Sequence, residues 1–117
     1  MNAPTEVGEA ARERLKQMAE AGHKRRSRAW QVAQQAAALL KSRYHASRVV
    51  AFGSLIQAER FRLWSDVDLA AWGLAPEDYF EAVARVLDIG GDIRLDLVMA
   101  ERCKPALREA IQQGVEL

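Results

Sequence analysis

The stretch from Val49 to Gly73, VVAFGSLIQAERFRLWSDVDLAAWG, limits the possible folds of this chain more than any other part of it. A first apolar run ends at Gly53-Ser54, and after a polar connector a second run carries Asp66 and Asp68, one residue apart. Residues i and i+2 of a β-strand point to the same face, so both carboxylates would project together while the apolar residues between and after them enter the core. Adjacent like charges repel each other, and a bound cation is the usual remedy. The stretch therefore predicts two strands joined by a turn, with a cation site on the second.

Three strands are predicted in all. The first covers Arg48 to Phe52, the second Ser65 to Trp72, and the third Ile93 to Met99, where Asp96 stands between two leucines. The runs are short and rich in apolar residues, and turn residues bound them. Aspartate is disfavoured in strands and costly in apolar surroundings unless it is paired or binds a metal. Three aspartates in such positions, together with the Gly-Ser turn, indicate a functional site.

Helical periodicity predicts two helices before the first strand. One covers residues 5–21, with Thr5 as its N-cap, and Gly22 interrupts it. The second begins at Ser27 and runs to Tyr44, with an apolar residue at every third or fourth position. These helices occupy residues 1–46, where they are expected to pack on or extend a domain of residues 47–117.

Two further helices are predicted after the second and third strands. They cover residues 77–87 and 105–113, and an apolar tail, Val115 to Leu117, follows the last of them. With a short helical turn at residues 54–59 after the first strand, the order of elements is two helices and then β-α-β-α-β-α, which predicts one α/β or α+β domain.

Composition excludes several classes of protein. A net charge of +1 over 117 residues argues against a protein that coats nucleic acid along its whole surface. No apolar segment approaches the ~20 residues that a transmembrane helix needs, and the opening MNAPTEVGEAARERL lacks the apolar centre of a signal peptide. Cys103 is the only cysteine, which excludes an internal disulfide and fits a reducing compartment. We therefore expect a cytoplasmic protein.

A basic cluster, His23-Lys24-Arg25-Arg26-Ser27-Arg28, lies between the two predicted N-terminal helices. A charge run of this kind is most often a solvated helix start. It could instead contact phosphates or an acidic partner surface. The sequence leaves both interpretations open.

The chemistry of the carboxylates is that of a metal and phosphate site. A cluster of oxygen ligands from Asp66, Asp68 and Asp96 suits Mg²⁺, which keeps several waters and is usually completed by substrate phosphates. Gly53-Ser54 ends a strand and opens a turn, where free backbone N–H groups favour a phosphate and the hydroxyl can donate to it. Metal-binding aspartates beside a phosphate-binding turn are the parts that nucleotidyl transfer requires.

The pattern Gly53-Ser54 … Ser65-Asp66-Val67-Asp68-Leu69, with Asp96 on a later strand, resembles the signature of the DNA polymerase β-like nucleotidyltransferase superfamily. The small size and sparse C-terminus look like those of its minimal nucleotidyltransferases (MNT). The resemblance implies a mixed sheet flanked by helices, two Mg²⁺ ions, and ATP or another nucleoside triphosphate as donor. It also implies that Asp66, Asp68 and Asp96 form the catalytic and metal-binding set, and that Gly53, Ser54 and Ser65 bind the nucleotide.

Minimal members of this superfamily often occur beside a HEPN protein, as antitoxins of HEPN–MNT pairs. The resemblance thus implies a protein that transfers AMP from ATP to a hydroxyl of a HEPN toxin, an RNase, and so neutralises it. Two alternatives remain: an antitoxin that acts by binding alone, and a small-molecule nucleotidyltransferase of the antibiotic-modifying kind with its acceptor pocket at a homodimer interface.

One position departs from the family pattern. Many relatives carry Arg directly after Gly-Ser, whereas this chain has Leu55. Arg60 or Arg62, both in the connector, could supply the missing charge to the triphosphate, and both could equally be solvated.

Overall fold

The computed structural model describes residues 8–117. It begins with one continuous helix, α1, Glu9–Tyr44, so the prediction of two N-terminal helices with a break at Gly22 is wrong. A glycine inside a helix weakens it by about 1 kcal/mol without ending it, and the Ala, Lys and Arg residues on either side favour continuation. The predicted N-cap, Thr5, lies outside the described residues.

Four strands form one mixed sheet in the order β3-β2-β1-β4. Strands β2 and β3 are parallel, and β1 is antiparallel to both β2 and β4. The chain folds into the following elements after α1: β1 Arg48–Phe52, a 3₁₀ turn Gly53–Ile56, β2 Val67–Trp72, a 3₁₀ turn Pro76–Asp78, α2 Tyr79–Gly90, β3 Leu95–Met99, a 3₁₀ turn Ala100–Arg102, α3 Pro105–Gln112 and β4 Val115–Glu116.

Most predicted elements are found close to their expected bounds. Strand β1 has the predicted bounds, whereas β2 begins two residues later than predicted, so Asp66 stands immediately before the strand rather than within it. The C-terminal tail, predicted only as an apolar end, forms the edge strand β4, which pairs with Val50 and Ala51 of β1.

The two faces of the sheet are covered by different helices. The second half of α1 and helix α2 pack on one face, and their core includes Leu40, Val49 and Leu69, which are fully buried. Helix α3 packs on the other face through Ile111, against Val50 and its neighbours. Because side chains alternate along a strand, β1, β2 and β3 supply residues to both layers. None of the helices between residues 8 and 117 is long and apolar enough to cross a membrane.

The basic cluster of α1 is tied to the rest of the domain. Arg25 and Arg28 form ion pairs with Asp92, in the turn before β3, with N–O distances of 3.2 and 2.7 Å. Arg26 donates from Nε to the carbonyl oxygen of Leu55 at 3.0 Å. Three of its arginines therefore hold α1 against the loops of this same chain.

Candidate active site

The parallel pairing of β2 and β3 brings two of the three predicted carboxylates together. Asp68 and Asp96 are register partners on the two adjacent strands. Their neighbours along the strands, Val67 and Leu97 among them, are buried on the α1 side, so both aspartates project from the opposite face. Asp68 is partly buried and Asp96 is exposed, and Asp66 enters the same patch from the residue before β2.

The three carboxylates act on one another electrostatically. Burial is the main cause that raises the pKa of Asp68 from 3.8 to about 6, and the charges of Asp96 and Asp66 raise it further. Burial likewise raises the pKa of the Tyr79 hydroxyl, with a smaller contribution from Asp96. The phenol donates to the carbonyl oxygen of Leu97, which places Tyr79 against the edge strand. The patch is thus a site of uncompensated negative charge.

Gly53 brings the turn after β1 against this patch. Its φ of 76° lies in the left-handed region, where glycine is favoured. A methyl group on Gly53 would overlap Oδ2 of Asp68, so the carboxylate lies directly on the glycine backbone. The pairing of β1 with β2, in which Phe52 is the register partner of Asp68, produces this contact. The Gly-Ser turn therefore lies directly against Asp68, the partly buried carboxylate of the patch.

A cavity of about 380 Å³ opens beside the turn. Gly53 and Ser54 line it together with Ile56, Gln57, Arg60, Ala110 and Gln113. The lining places Arg60 at the proposed phosphate site, where its guanidinium donates to the side-chain oxygen of Gln57 at 3.2 Å. Arg62 lines a different cavity, against α1. Of the two arginines that could replace the missing charge, only Arg60 borders the Gly-Ser turn.

Leu55 stands where many members of the resembling superfamily carry Arg, and its side chain packs in the hydrophobic core. It is fully buried, so this position cannot hold a solvated arginine in the present fold. Sequence reasoning did not find the contact between its carbonyl oxygen and Arg26, nor the α3 residues that close the cavity. The positions of these residues depend on tertiary packing between segments that are far apart in the sequence. The basic cluster of α1 was the only local feature of the sequence that pointed to any of these contacts.

Ser65 holds the turn that delivers Asp66. Its hydroxyl accepts from the backbone N–H of Arg62 at 2.8 Å, and its own N–H donates to the Arg62 carbonyl oxygen at 3.0 Å. Ser65 lies outside the residues that line the cavity, and its role in nucleotide binding stays a prediction.

The donor set fits a hard divalent cation. Carboxylate oxygens are the ligands that Mg²⁺ prefers, and between residues 8 and 117 none of Asp66, Asp68 and Asp96 takes part in an ion pair. Within that same range, no three His, Cys, Asp or Glu side chains stand in the geometry of a finished metal site. The three carboxylates lie in one patch and each can carry a negative charge. Their assignment as metal ligands remains a prediction.

Comparisons with known proteins support the fold. No protein-family model matches the sequence, and no curated protein matches it significantly. A solved structure described as a "putative minimal nucleotidyltransferase" is similar, with 27% sequence identity and a TM-score of 0.53. The match covers 83% of this chain and 92% of that one. The predicted α+β class is thereby confirmed, and the chain has a nucleotidyltransferase-like fold with a mixed four-stranded sheet flanked by helices.

Proposed function

We propose that the protein is a Mg²⁺-dependent nucleotidyltransferase that transfers AMP from ATP to a hydroxyl of a protein acceptor. The acceptor we propose is a HEPN-type toxin, which the modification neutralises. The observation that supports this best is the register pairing of Asp68 with Asp96, directly against Gly53 and its cavity. The similarity to the minimal nucleotidyltransferase supports nucleotidyl transfer in general.

Each residue has a role that follows from its position. Asp66, Asp68 and Asp96 would hold Mg²⁺, and the bound metal supplies positive charge that offsets the charge of the phosphates. The backbone of Gly53 permits close approach of a phosphate, the Ser54 hydroxyl donates to its oxygen, and the Arg60 guanidinium adds a positive charge at the same cavity.

Asp96 is the group best placed to meet an acceptor. It is exposed, whereas Asp68 is partly buried against the turn, and it lies on β3, the edge strand of the sheet. Its carboxylate would accept the proton of the attacking hydroxyl as that oxygen bonds to the α-phosphate of ATP and pyrophosphate leaves. An open edge strand suits a hydroxyl presented by another macromolecule, because the described residues form no second domain over it.

The test uses ATP labelled on the α-phosphate, Mg²⁺ and the candidate HEPN toxin. We expect label on the toxin, and no label from ATP marked on the γ-phosphate, because AMP and not phosphate is transferred. The Asp66→Asn/Asp68→Asn variant should abolish labelling. Asp88→Asn, an exposed carboxylate on α2, is the matched control and should label normally.

Two results would contradict the proposal. The first is the absence of label with all four nucleoside triphosphates. The second is full neutralisation of the toxin by Asp66→Asn/Asp68→Asn, which would favour an antitoxin that acts by binding alone. Label transferred to an aminoglycoside but not to the toxin would favour the small-molecule alternative.

A further inference from the structure

Helix α1 is longer than the sheet that it covers. In its second half a stripe of residues packs in the core, and these buried residues are Ala29, Val32, Ala33, Ala36, Ala37, Leu40 and Tyr44. The same stripe continues toward the N-terminus through Gly22, Met18, Leu15 and Ala11, at the same spacings of three and four. There no part of the chain between residues 8 and 117 covers it, since Leu15 is 59% and Met18 53% exposed. The first half of α1, residues 9–22, is called the arm below.

A groove runs between residues 18–30 of α1, which begin at the end of the arm, and the connector that leads to β2. Its volume is about 530 Å³, within the range of ligand-binding clefts. Apolar and aromatic side chains supply much of its lining: Met18, Trp30, Phe61, Leu63 and Trp64. Trp64 is 76% exposed, and open space surrounds the Cα of Gly22. The exposed stripe of the arm and this groove together form the docking face.

The charged side chains that line the groove or flank the exposed stripe are positive. Arg26 and Arg62 line the groove, and none of its lining residues between 8 and 117 is Asp or Glu. Helical geometry places Arg12 and Arg14 on the two flanks of the exposed stripe.

The acidic residues of the arm lie elsewhere. Glu9, Glu13 and Glu20 fall on the opposite side of the helix from Leu15 and Met18. The docking face is therefore apolar along its centre and basic at its margins.

We propose that the docking face binds an amphipathic segment of another protein whose apolar residues are flanked by Asp and Glu. A second copy of this chain is a poor occupant, because two arms placed stripe to stripe would bring arginines against arginines. A lipid surface or a nucleic acid is also disfavoured. Both respond to total positive charge, and the arm has three acidic and three basic residues.

The position of the docking face gives it a use in the proposed reaction. Trp64 is followed directly by Ser65 and Asp66, so the connector that lines the groove leads straight into the carboxylate patch. The inference deepens the proposed function, since the bound segment would belong to the protein acceptor. Docking needs neither metal nor nucleotide, so its failure can be distinguished from a failure of transfer.

The experiment uses designed peptides as probes. One peptide, about three heptads long, has Leu at its core positions and Glu at the flanking positions, and its matched control has Lys at those flanking positions. Fluorescence anisotropy of the labelled peptides is measured with the full chain. We expect the Glu peptide to bind about tenfold or more tighter than the Lys peptide, with the difference shrinking as salt is added.

Variants of the arm then locate the binding. Leu15→Glu/Met18→Glu should weaken binding of the Glu peptide by about tenfold or more, because it places charge on the apolar stripe and repels the probe. The control, Ala10→Glu/Gln17→Glu, adds the same charge away from the stripe and should leave binding within about twofold. Helix content by circular dichroism verifies that both variants fold.

Several outcomes would overturn the inference. They are equal binding of the two peptides, no binding of either, and equal losses in the two variants. Sedimentation equilibrium would assign the docking face to a second copy of the chain if it showed concentration-dependent dimers that the variant Leu15→Glu/Met18→Glu no longer forms. Binding to phosphatidylserine vesicles or single-stranded RNA, but not to the Glu peptide, would assign it to those ligands.

Discussion

Replacing Asp68 by Asn should stabilise the protein at neutral pH while it removes a proposed metal ligand. Asp68 is a partly buried carboxylate beside two others, and its pKa is raised from 3.8 to about 6, first by burial and then by the charges of Asp96 and Asp66. The fold therefore prefers the protonated form. A neutral amide of similar shape carries no such penalty at any pH, so the two proteins differ only where Asp68 is ionised.

The sign and size follow from the linkage between protonation and folding. Because the pKa is higher in the folded than in the unfolded state, the favourable contribution of Asp68 is complete below the unfolded pKa. It is lost as the pH rises through about 6. A shift of about two units corresponds to at most about 3 kcal/mol. Since the carboxylate is still partly solvated, we discount this to about 1 kcal/mol.

The assay is urea unfolding of wild type and Asp68→Asn from about pH 4 to about pH 8, followed by circular dichroism. We expect the variant to be more stable by about 1 kcal/mol at the upper end, with the difference vanishing at the lower end. Glu81 and Asp92, whose pKa values are lowered mainly by their hydrogen bonds and basic neighbours, act in the opposite sense. They are present in both proteins and cancel in the difference.

Magnesium extends the same experiment. Mg²⁺ at a hundred times its dissociation constant should stabilise wild type by about 2.7 kcal/mol and the variant much less. The reasoning would be refuted if Asp68→Asn were less stable than wild type at all pH values, or if the difference did not change with pH. Equal stabilisation of both proteins by Mg²⁺ would remove Asp68 from the ligand set.

Two further predictions concern backbone and edge contacts. Gly53→Ala should destabilise the fold by about 1–3 kcal/mol and abolish transfer, because it combines a positive φ with an overlap against Asp68 Oδ2. The control is Gly22→Ala in α1, where the added methyl group meets open space. This control should stabilise the protein by about 1 kcal/mol in the same urea titration. Tyr79→Phe removes the hydrogen bond to the Leu97 carbonyl oxygen and should cost about 1 kcal/mol, which faster amide hydrogen exchange along β3 would also reveal. A cost below about 0.3 kcal/mol, or unchanged exchange, would contradict that account.

The sequence predicts the core of the candidate site because its signals are local. Alternation along β2 placed Val67 in the core and Asp68 on the opposite face, and the structure confirms both. The position of Asp96 beside Asp68 needed one further step, the parallel pairing of their strands. The resemblance to the superfamily grouped Asp96 with the other two carboxylates but did not give this pairing, and the periodicity of a strand says nothing about its neighbour.

The features that the sequence did not predict depend on free-energy differences that a short stretch of sequence does not reveal. Gly22 was read as a break, but a penalty of about 1 kcal/mol is small against the favourable residues around it. The tail became strand β4 because the edge of β1 offers hydrogen bonds to Val115 and Glu116, and Leu117 donates to the Val49 carbonyl oxygen. Such pairing cannot be recognised in a run of three residues.

The exposed arm and the uncompensated carboxylates have one property in common, which is that each contributes little to the stability of the unbound protein or opposes it. An amphipathic helix half with exposed Leu15 and Met18 gains little from burial. A partly buried Asp68 beside two other carboxylates likewise opposes folding above its raised pKa. At neutral pH, a cation bound at the carboxylates or the proposed acidic segment bound at the arm would offset these losses, and the segment from Gly53 to Asp66 connects the two places. Stability gained on binding at either end is therefore the physical quantity that would couple partner docking to nucleotidyl transfer.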